Sequence, residues 1–209
     1  MTNQLIGLNT CSCKKAKHPF SKIVITGGPG AGKSAISELA KLQLCSHVAV
    51  LPEAATLLFR GGFWRENTIN GRESAQRTIF HIQREMERFV NREKKYSVAI
   101  CDRGTLDGLA YWPNSPASFF KNLNTSRSQE LLNYSAVIHL RTPSKNRGYN
   151  LQNSMRLESA KEARLMDKKI EKAWKGHPRR FFIDSTESFD EKIENTLVIL
   201  RQEIPSCCS

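Results

Sequence analysis

The sequence contains no apolar run of the roughly 18 residues that a membrane-spanning helix needs. Its first ten residues contain no basic cluster followed by an apolar stretch, so a secretory signal is not predicted. None of the six cysteines shows the paired spacing of a zinc site, and a cytosolic protein favours free thiols over disulfides. These absences favour a cytoplasmic globular protein.

Acidic residues are missing from the first 37 positions, which hold five lysines. A second basic stretch, residues 141–180, has twelve lysines and arginines against four acidic residues. Basic residues concentrated in two segments indicate a polyanionic partner: a nucleic acid, an anionic membrane or a nucleoside triphosphate. Nucleic acid binding is not favoured, because the sequence has no RNA or DNA recognition motif.

The composition, 39% hydrophobic and 25% charged, is typical of a single folded domain. Residues 1–20 are predicted to form a flexible basic arm that contains Lys14-Lys15-Ala16-Lys17, and residues 21–204 the domain. Residues 205–209 are expected to be an exposed, disordered tail. The ending Cys207-Cys208-Ser209 is also similar to a double-cysteine prenylation tail, which leaves peripheral membrane association open.

Short β-branched runs alternate with helical patterns along the domain. Strands are predicted at 23–26, 48–51, 97–101, 136–140 and 181–183, and helices at 33–44, 54–60, 73–90, 154–174 and from 188 onward. The buried residues expected on the third and last helices are Ile79, Ile82, Met86, Phe89, Phe189, Ile193, Leu197 and Leu200. The alternation predicts an α/β fold, a parallel sheet covered on both faces, with ligands beyond the carboxyl ends of its strands.

Residues 27–34, Gly-Gly-Pro-Gly-Ala-Gly-Lys-Ser, match the phosphate-binding P-loop pattern G-x-x-x-x-G-K-[ST] in full. Glycines let successive backbone N–H groups surround a phosphate, and the following helix adds the positive end of its dipole. Lys33 is expected to reach the β- and γ-phosphates of ATP or GTP, and the Ser34 hydroxyl to ligate Mg²⁺. The predicted nucleotide-binding residues are Gly28, Pro29, Gly30, Ala31, Gly32, Lys33, Ser34 and Ala35.

Two carboxylates follow predicted strands. Asp102 ends the third strand, where a second Mg²⁺ ligand of P-loop proteins is needed, and Arg103 follows it directly. Glu53 ends the second strand, which is expected to lie beside the first. Glu53 is predicted to accept a proton from a substrate hydroxyl during phosphoryl transfer, although a helix N-terminal acid would also explain it.

The basic stretch at about 141–178 is predicted to form a helical lid. Arg156 and Arg164 lie in its predicted helix, where one of them would stabilise the transferred phosphoryl group. A solvated helix face is the alternative. Gln76 and Gln83 are seven residues apart and are candidates to line an acceptor pocket, or simply a polar helix face.

The chain resembles the P-loop family that includes the nicotinamide-ribonucleoside kinase domain of NadR-type proteins, and within it the branch of the TRPL translocation defect protein. The resemblance covers about residues 22–200. It depends on the P-loop, on Pro52-Glu53-Ala54-Ala55, on Gln76 with Gln83, on residues 102–113 and on residues 156–178. It implies a kinase-type five-stranded parallel sheet, Mg²⁺-nucleotide binding and a lid.

The predicted function is an Mg²⁺-dependent phosphotransferase that acts on a small, nucleoside-like metabolite. Lys33, Arg103 and a lid arginine would stabilise the moving phosphoryl group, and Ser34 and Asp102 would hold the metal. The alternative is a nucleotide-binding regulator with weak hydrolysis that binds anionic phospholipid, namely phosphoinositide, head groups. The resemblance leaves both open, since one branch phosphorylates a ribonucleoside and the other is known for GTP and phosphoinositide binding.

Overall fold

The computed structural model describes residues 18–143, 159–185 and 188–208. The strands are β1 (Ser21–Thr26), β2 (Val48–Leu51), β3 (Val98–Asp102), β4 (Ala136–Leu140) and β5 (Arg180–Ile183). The helices are α1 (Lys33–Gln43), α2 (Ala54–Arg60), α3 (Ile69–Arg92), α4 (Asp107–Tyr111), α5 (Pro116–Asn122), α6 (Arg127–Leu132), α7 (Ala160–Ala173) and α8 (Phe189–Glu203), followed by a 3₁₀ turn, Ser206–Cys208. No helix in these ranges is both long and apolar enough to cross a membrane.

The five strands form one parallel sheet in the order β2-β3-β1-β4-β5, which confirms the predicted fold class. The expectation that β2 lies beside β1 is wrong, because β3 pairs with both strands and separates them. This order places the carboxyl ends of β2, β3 and β1 side by side. Residues that follow these three strands therefore meet at one edge of the sheet.

Alternate residues of the central strands point to opposite faces and build two cores. On one face, Ile23, Ile25 and Ile138 pack with residues of α1 and α8. On the other, Val24 and Val137 pack with residues of α3 and α7. Helices thus cover both faces, as predicted.

The buried face of α3 differs from the predicted one. Its buried residues are Ala75, Phe80, Gln83, Glu87 and Val90, whereas Phe89 is exposed. A hydrophobicity pattern does not identify this face, because Gln83 and Glu87 are polar. Both can be buried because they form hydrogen bonds inside the protein. On α8, Leu197 and Leu200 are buried as predicted, but Phe189 is largely exposed.

Helix α7 begins at Ala160, later than the predicted residue 154, because Ser159 caps it. The Ser159 hydroxyl accepts from Glu162 N, and the Glu162 carboxylate accepts from Ser159 N at 2.8 Å. Ile170 and Trp174 are fully buried in the core, so this part of the predicted lid is built into the domain. Residues 144–158 of that lid and the arm at 1–17 lie outside the described residues.

The end of the chain is also packed against the domain. Cys208 is fully buried and belongs to the same core as Leu200 and Ile204. The backbone carbonyl of Cys208 accepts from Cys45 N. The exposed tail expected at 205–209 is therefore wrong for Cys207 and Cys208, whereas Ser206 is exposed.

Candidate functional site

The P-loop connects β1 to α1 at the carboxyl edge of the sheet. Gly27 has φ 134°, and a Cβ there would lie 2.1 Å from the carbonyl oxygen of Leu140. A Cβ on Gly28 would lie 2.8 Å from the carbonyl oxygen of Ala163, on α7. Only glycine fits at these positions, because any side chain would collide with the backbone of Leu140 or Ala163. The P-loop backbone can therefore pack directly against β4 and α7.

Lys33 lies at the first position of α1 with its ammonium group turned into the loop. Its Nζ donates to the carbonyl oxygens of Gly27 at 3.1 Å and Gly28 at 2.9 Å. Burial and then the charge of Arg103 lower the pKa of Lys33 to about 8. An anionic ligand beside the ammonium group would raise this pKa again and stabilise the charged form, which suits a lysine that binds phosphate.

Ser34 and Asp102 meet in front of the P-loop, one from α1 and the other from the end of β3. Ser34 Oγ donates to Asp102 Oδ2 at 3.0 Å. Asp102 Oδ1 is buried and has no hydrogen-bond partner in the described part of the chain. Burial raises the pKa of Asp102, so a nearby cation would stabilise its carboxylate. A hydroxyl beside a carboxylate with an unpaired oxygen fits Mg²⁺, which prefers oxygen ligands.

Arg103 and Glu53 form an ion pair beside these residues. Arg103 has φ 71°, and its Nε donates to Glu53 Oε1 at 2.6 Å. The same guanidinium donates from Nη1 to the Gly27 carbonyl oxygen at 3.2 Å. Burial acts to raise the pKa of Glu53, but the charges of Arg103 and Lys33 outweigh it and lower the pKa to about 2. Glu53 is therefore a carboxylate of low basicity.

Asp107 organises this group, although the sequence analysis gave it no role of its own. Its Oδ1 accepts from Thr26 Oγ1 at 2.6 Å and from Arg103 Nη1 at 3.0 Å. Its Oδ2 accepts from Gly104 N and from Trp174 Nε1. One buried carboxylate thus connects β1, the segment that follows β3 and the residue that ends α7. The available signal in the sequence was the position of this acid, five residues after Asp102 at the end of a strand.

Asp167 of α7 contacts the P-loop directly, which the sequence analysis also missed. Its Oδ1 accepts from Gly28 N at 2.8 Å and lies 2.9 Å from His139 Nε2. Burial acts to raise the pKa of Asp167, but the hydrogen bonds from His139 and Gly28 N lower it. A histidine inside the apolar strand 136–140 was the signal that a buried polar partner had to exist.

The remaining predicted site residues differ in burial and in their distance from the P-loop. Arg164 is exposed on α7, next to the Ala163 that packs against Gly28, and Arg156 lies outside the described residues. Gln83 is buried and donates to Glu87 Oε1 at 2.9 Å, so it cannot line an open acceptor pocket. Gln76 is partly exposed, and its Oε1 would lie 3.1 Å from a Cβ on Gly108, so its role at an acceptor pocket stays a prediction.

Comparisons with known proteins identify the family and the fold. The family model described as AAA domain matches residues 22–192. Deoxyadenosine kinase from M. mycoides with bound dATP superposes with a TM-score of 0.61 at 19% identity, over 87% of this chain and 99% of that chain. Thymidylate kinase from Ehrlichia chaffeensis gives 0.55 at 14% identity over the same shares. No curated protein matches the chain.

Proposed function

This chain belongs to the AAA domain family, with a P-loop kinase fold, and we propose that it is an Mg²⁺-dependent phosphotransferase. It would transfer the γ-phosphoryl group of ATP or GTP to a hydroxyl of a small, nucleoside-like metabolite. The contact that carries the proposal is Ser34 Oγ to Asp102 Oδ2, 3.0 Å, beside a buried carboxylate oxygen that lacks a partner among the described residues. The structural neighbours, a nucleoside kinase and a nucleotide kinase, support the acceptor class.

The nucleotide phosphates would bind to the P-loop N–H groups and to the Lys33 ammonium group. Ser34 and Asp102 would hold Mg²⁺, which when bound neutralises charge on the phosphate oxygens. Arg103, held by Glu53 and Asp107, lies at the same edge and would stabilise charge that develops during transfer. Arg156 and Arg164 of the predicted lid are proposed for the same task.

Glu53 is proposed to position the acceptor hydroxyl rather than to remove its proton early. A carboxylate with a pKa of about 2 is a weak base. Phosphoryl transfer through a loose transition state places little demand on the base, and orientation of the attacking oxygen is the larger contribution. Tyr111, whose ring lies 5.7 Å from the Arg103 guanidinium, borders the same side of the site.

The alternative function is a nucleotide-binding regulator that holds anionic lipid head groups. It follows from the branch of the TRPL translocation defect protein, whereas the kinase follows from the NadR-type branch. Much of its support, Lys14 to Lys17 and residues 144–158, lies outside the described residues. The carboxylate and arginine groups gathered at the P-loop favour the kinase as the first proposal.

A screen with two stages tests the proposal. Thermal shifts with ATP and GTP, each with Mg²⁺, would find the donor, and mass analysis of products from a panel of ribonucleosides would find the acceptor. We expect a product heavier by one phosphoryl group. Salt-sensitive flotation with phosphoinositide vesicles, with hydrolysis but no phosphorylated product, would overturn the kinase in favour of the regulator.

A further inference from the structure

Three side chains of types that can ligate zinc, two from one loop and one from the end of the chain, meet at the end of the domain away from the P-loop. They are Cys45 and His47, in the connection from α1 to β2, and Cys208, in the final 3₁₀ turn. Their ligand atoms all lie within 4.8 Å of one another. We propose that these residues bind a structural Zn²⁺ ion that joins the C-terminal turn to the core of the domain.

The distances suit a tetrahedral ion. Zinc bonds of about 2.3 Å to sulfur and about 2.0–2.1 Å to nitrogen separate neighbouring ligand atoms by roughly 3.5–3.8 Å in a tetrahedral site. Since the ligand atoms of Cys45, His47 and Cys208 already lie within 4.8 Å of one another, binding the ion would bring any pair of them closer by at most roughly 1.3 Å. Thiolate and imidazole ligands select zinc over magnesium or calcium, which prefer oxygen.

A fourth ligand is close by. Cys207 Sγ lies 3.8 Å from Cys208 Sγ, the distance expected of two thiolates on one zinc ion. Cys207 Sγ also lies 2.9 Å from His18 Nε2, which would either hydrogen-bond to this sulfur or replace it as the fourth ligand. Cys207 Sγ does not lie within 4.8 Å of all three other ligand atoms, so it would have to turn toward them to complete a closed site of three thiolates and one imidazole.

The surroundings support thiolate ligands. The backbone N–H of His47 donates to Cys45 Sγ at 3.4 Å, which stabilises negative charge on the sulfur. Three thiolates and one imidazole around Zn²⁺ carry one net negative charge, and Lys94 and Lys95 line an open pocket together with His47. That pocket also gives an ion a path to the half-buried imidazole. No disulfide joins Cys45, Cys207 or Cys208.

The packing explains what the ion would do. Cys45 and Cys208 are both buried in the core that also contains Leu44 and Ile204. Among the contacts of the described residues, the hydrogen bonds from Cys45 N to Cys208 O and from Cys208 N to Pro205 O, together with the burial of Cys208, hold this end of the chain. An ion bound across the two segments would fix the C-terminal turn, as structural zinc sites do elsewhere.

The site is separable from the nucleotide site. Helix α1 has 11 residues and separates Lys33 from Cys45, so the two sites lie about 16 Å or more apart. Loss of zinc binding therefore leaves nucleotide binding in place. Failure of one proposal can be distinguished from failure of the other by measuring both ligands on the same variants.

The test is metal analysis of the full-length protein, purified reduced and without added chelator. We expect one equivalent of zinc, and Co²⁺ substitution should give thiolate charge-transfer absorption with the strong d–d bands of a tetrahedral site. His47→Gln should weaken zinc affinity by at least about tenfold while the protein stays folded. Cys208→Ser should do the same, and Cys101→Ala, a buried thiol on β3 outside the cluster, should keep full affinity.

Three results would overturn the proposal. One is a folded protein that binds neither Zn²⁺ nor Co²⁺ with a thiolate signature. The second is a His47→Gln variant with unchanged affinity, which decides the matter even if Cys208→Ser does not fold. The third is a Cys45–Cys208 disulfide in the purified protein, detected as a loss of two hydrogens by mass spectrometry.

Discussion

Arg103 Nε donates to Glu53 Oε1 at 2.6 Å and thereby joins the first residue after β3 to the second residue after β2. The sheet order makes this contact possible, because β2 and β3 are neighbours. Both side chains are largely buried, and the Arg103 guanidinium also reaches the P-loop carbonyl of Gly27. The pair thus lies against the P-loop and is not a surface ion pair.

Glu53→Gln should lower phosphoryl transfer by about 100-fold or more, since it removes the group proposed to orient the acceptor. Nucleotide binding should change by only a few-fold, because Arg103 keeps its bond to Asp107. The matched control is Glu38→Gln, an exposed acid on α1 paired with Lys41. Steady-state kinetics with the identified acceptor checks this, and full transfer by Glu53→Gln would remove Glu53 from the mechanism.

Lys33→Met should stabilise the ligand-free protein while abolishing nucleotide binding. The folded pKa of Lys33, about 8, lies below the ordinary 10.5, so the unfolded chain binds more protons between these values. Stability of the wild type should therefore rise as the pH increases from 8 to 10.5, and this rise should be smaller in the variant. The gain at pH 7 is expected to be up to about 3 kcal/mol.

Urea denaturation across this pH range checks the sign, with Lys41→Met on the exposed face of α1 as control. A variant less stable than the wild type at pH 7, in the absence of ligand, would show that the buried ammonium group is fully compensated by its neighbours.

Glu87→Gln should destabilise the fold by about 3 kcal/mol. Glu87 is buried, pairs with Lys22 Nζ at 2.7 Å and accepts from Tyr134 Oη and Gln83 Nε2. The amide leaves the Lys22 charge without its partner in a site that is nearly closed to solvent. Glu85→Gln, an exposed residue of the same helix, should change the free energy of unfolding by less than about 0.5 kcal/mol. Equal unfolding midpoints for the two variants would contradict the contribution of this ion pair.

Asp167→Asn should destabilise the protein by about 1–3 kcal/mol at pH 7, because the buried carboxylate accepts from Gly28 N and contacts His139. The pKa of Asp167 is lowered in the folded state, so its contribution is present above the ordinary value of 3.8 and is lost as the pH falls below it. The difference between wild type and variant should narrow in that acidic range. Asp190→Asn, at an exposed position of α8, is the control, and a difference independent of pH would contradict the assignment.

The parts of the fold that depend on local patterns were predictable. The P-loop and the five strands, including the one that ends in Asp102, can each be recognised from a few neighbouring residues. The order of β2 and β1 was not, because pairing across a sheet leaves no mark in either strand alone. The exposure of Phe89 has the same origin, since the buried side of α3 is set by the partners of Glu87.

The contacts that complete the site join residues far apart in sequence. Asp167 meets Gly28 across 139 positions, and neither residue shows a pattern that names the other. The cysteine cluster is a similar case: Cys45 and Cys208 lack zinc-site spacing and approach only because α1 and the last turn pack on one face. Sequence patterns indicate which chemistry a residue can perform, whereas the fold determines which partner residues lie beside it.

The central claim is that the P-loop binds a nucleoside triphosphate together with Mg²⁺. Calorimetric titration with Mg²⁺-ATP and Mg²⁺-GTP tests it most directly. The titration is repeated without magnesium and with two serine variants. We expect saturable one-to-one binding of at least one triphosphate, weakened at least about tenfold in Ser34→Ala and unchanged in Ser128→Ala, an exposed position of α6. The weakening should disappear when magnesium is omitted. A folded wild-type protein that gives no binding heat with either triphosphate would contradict the account.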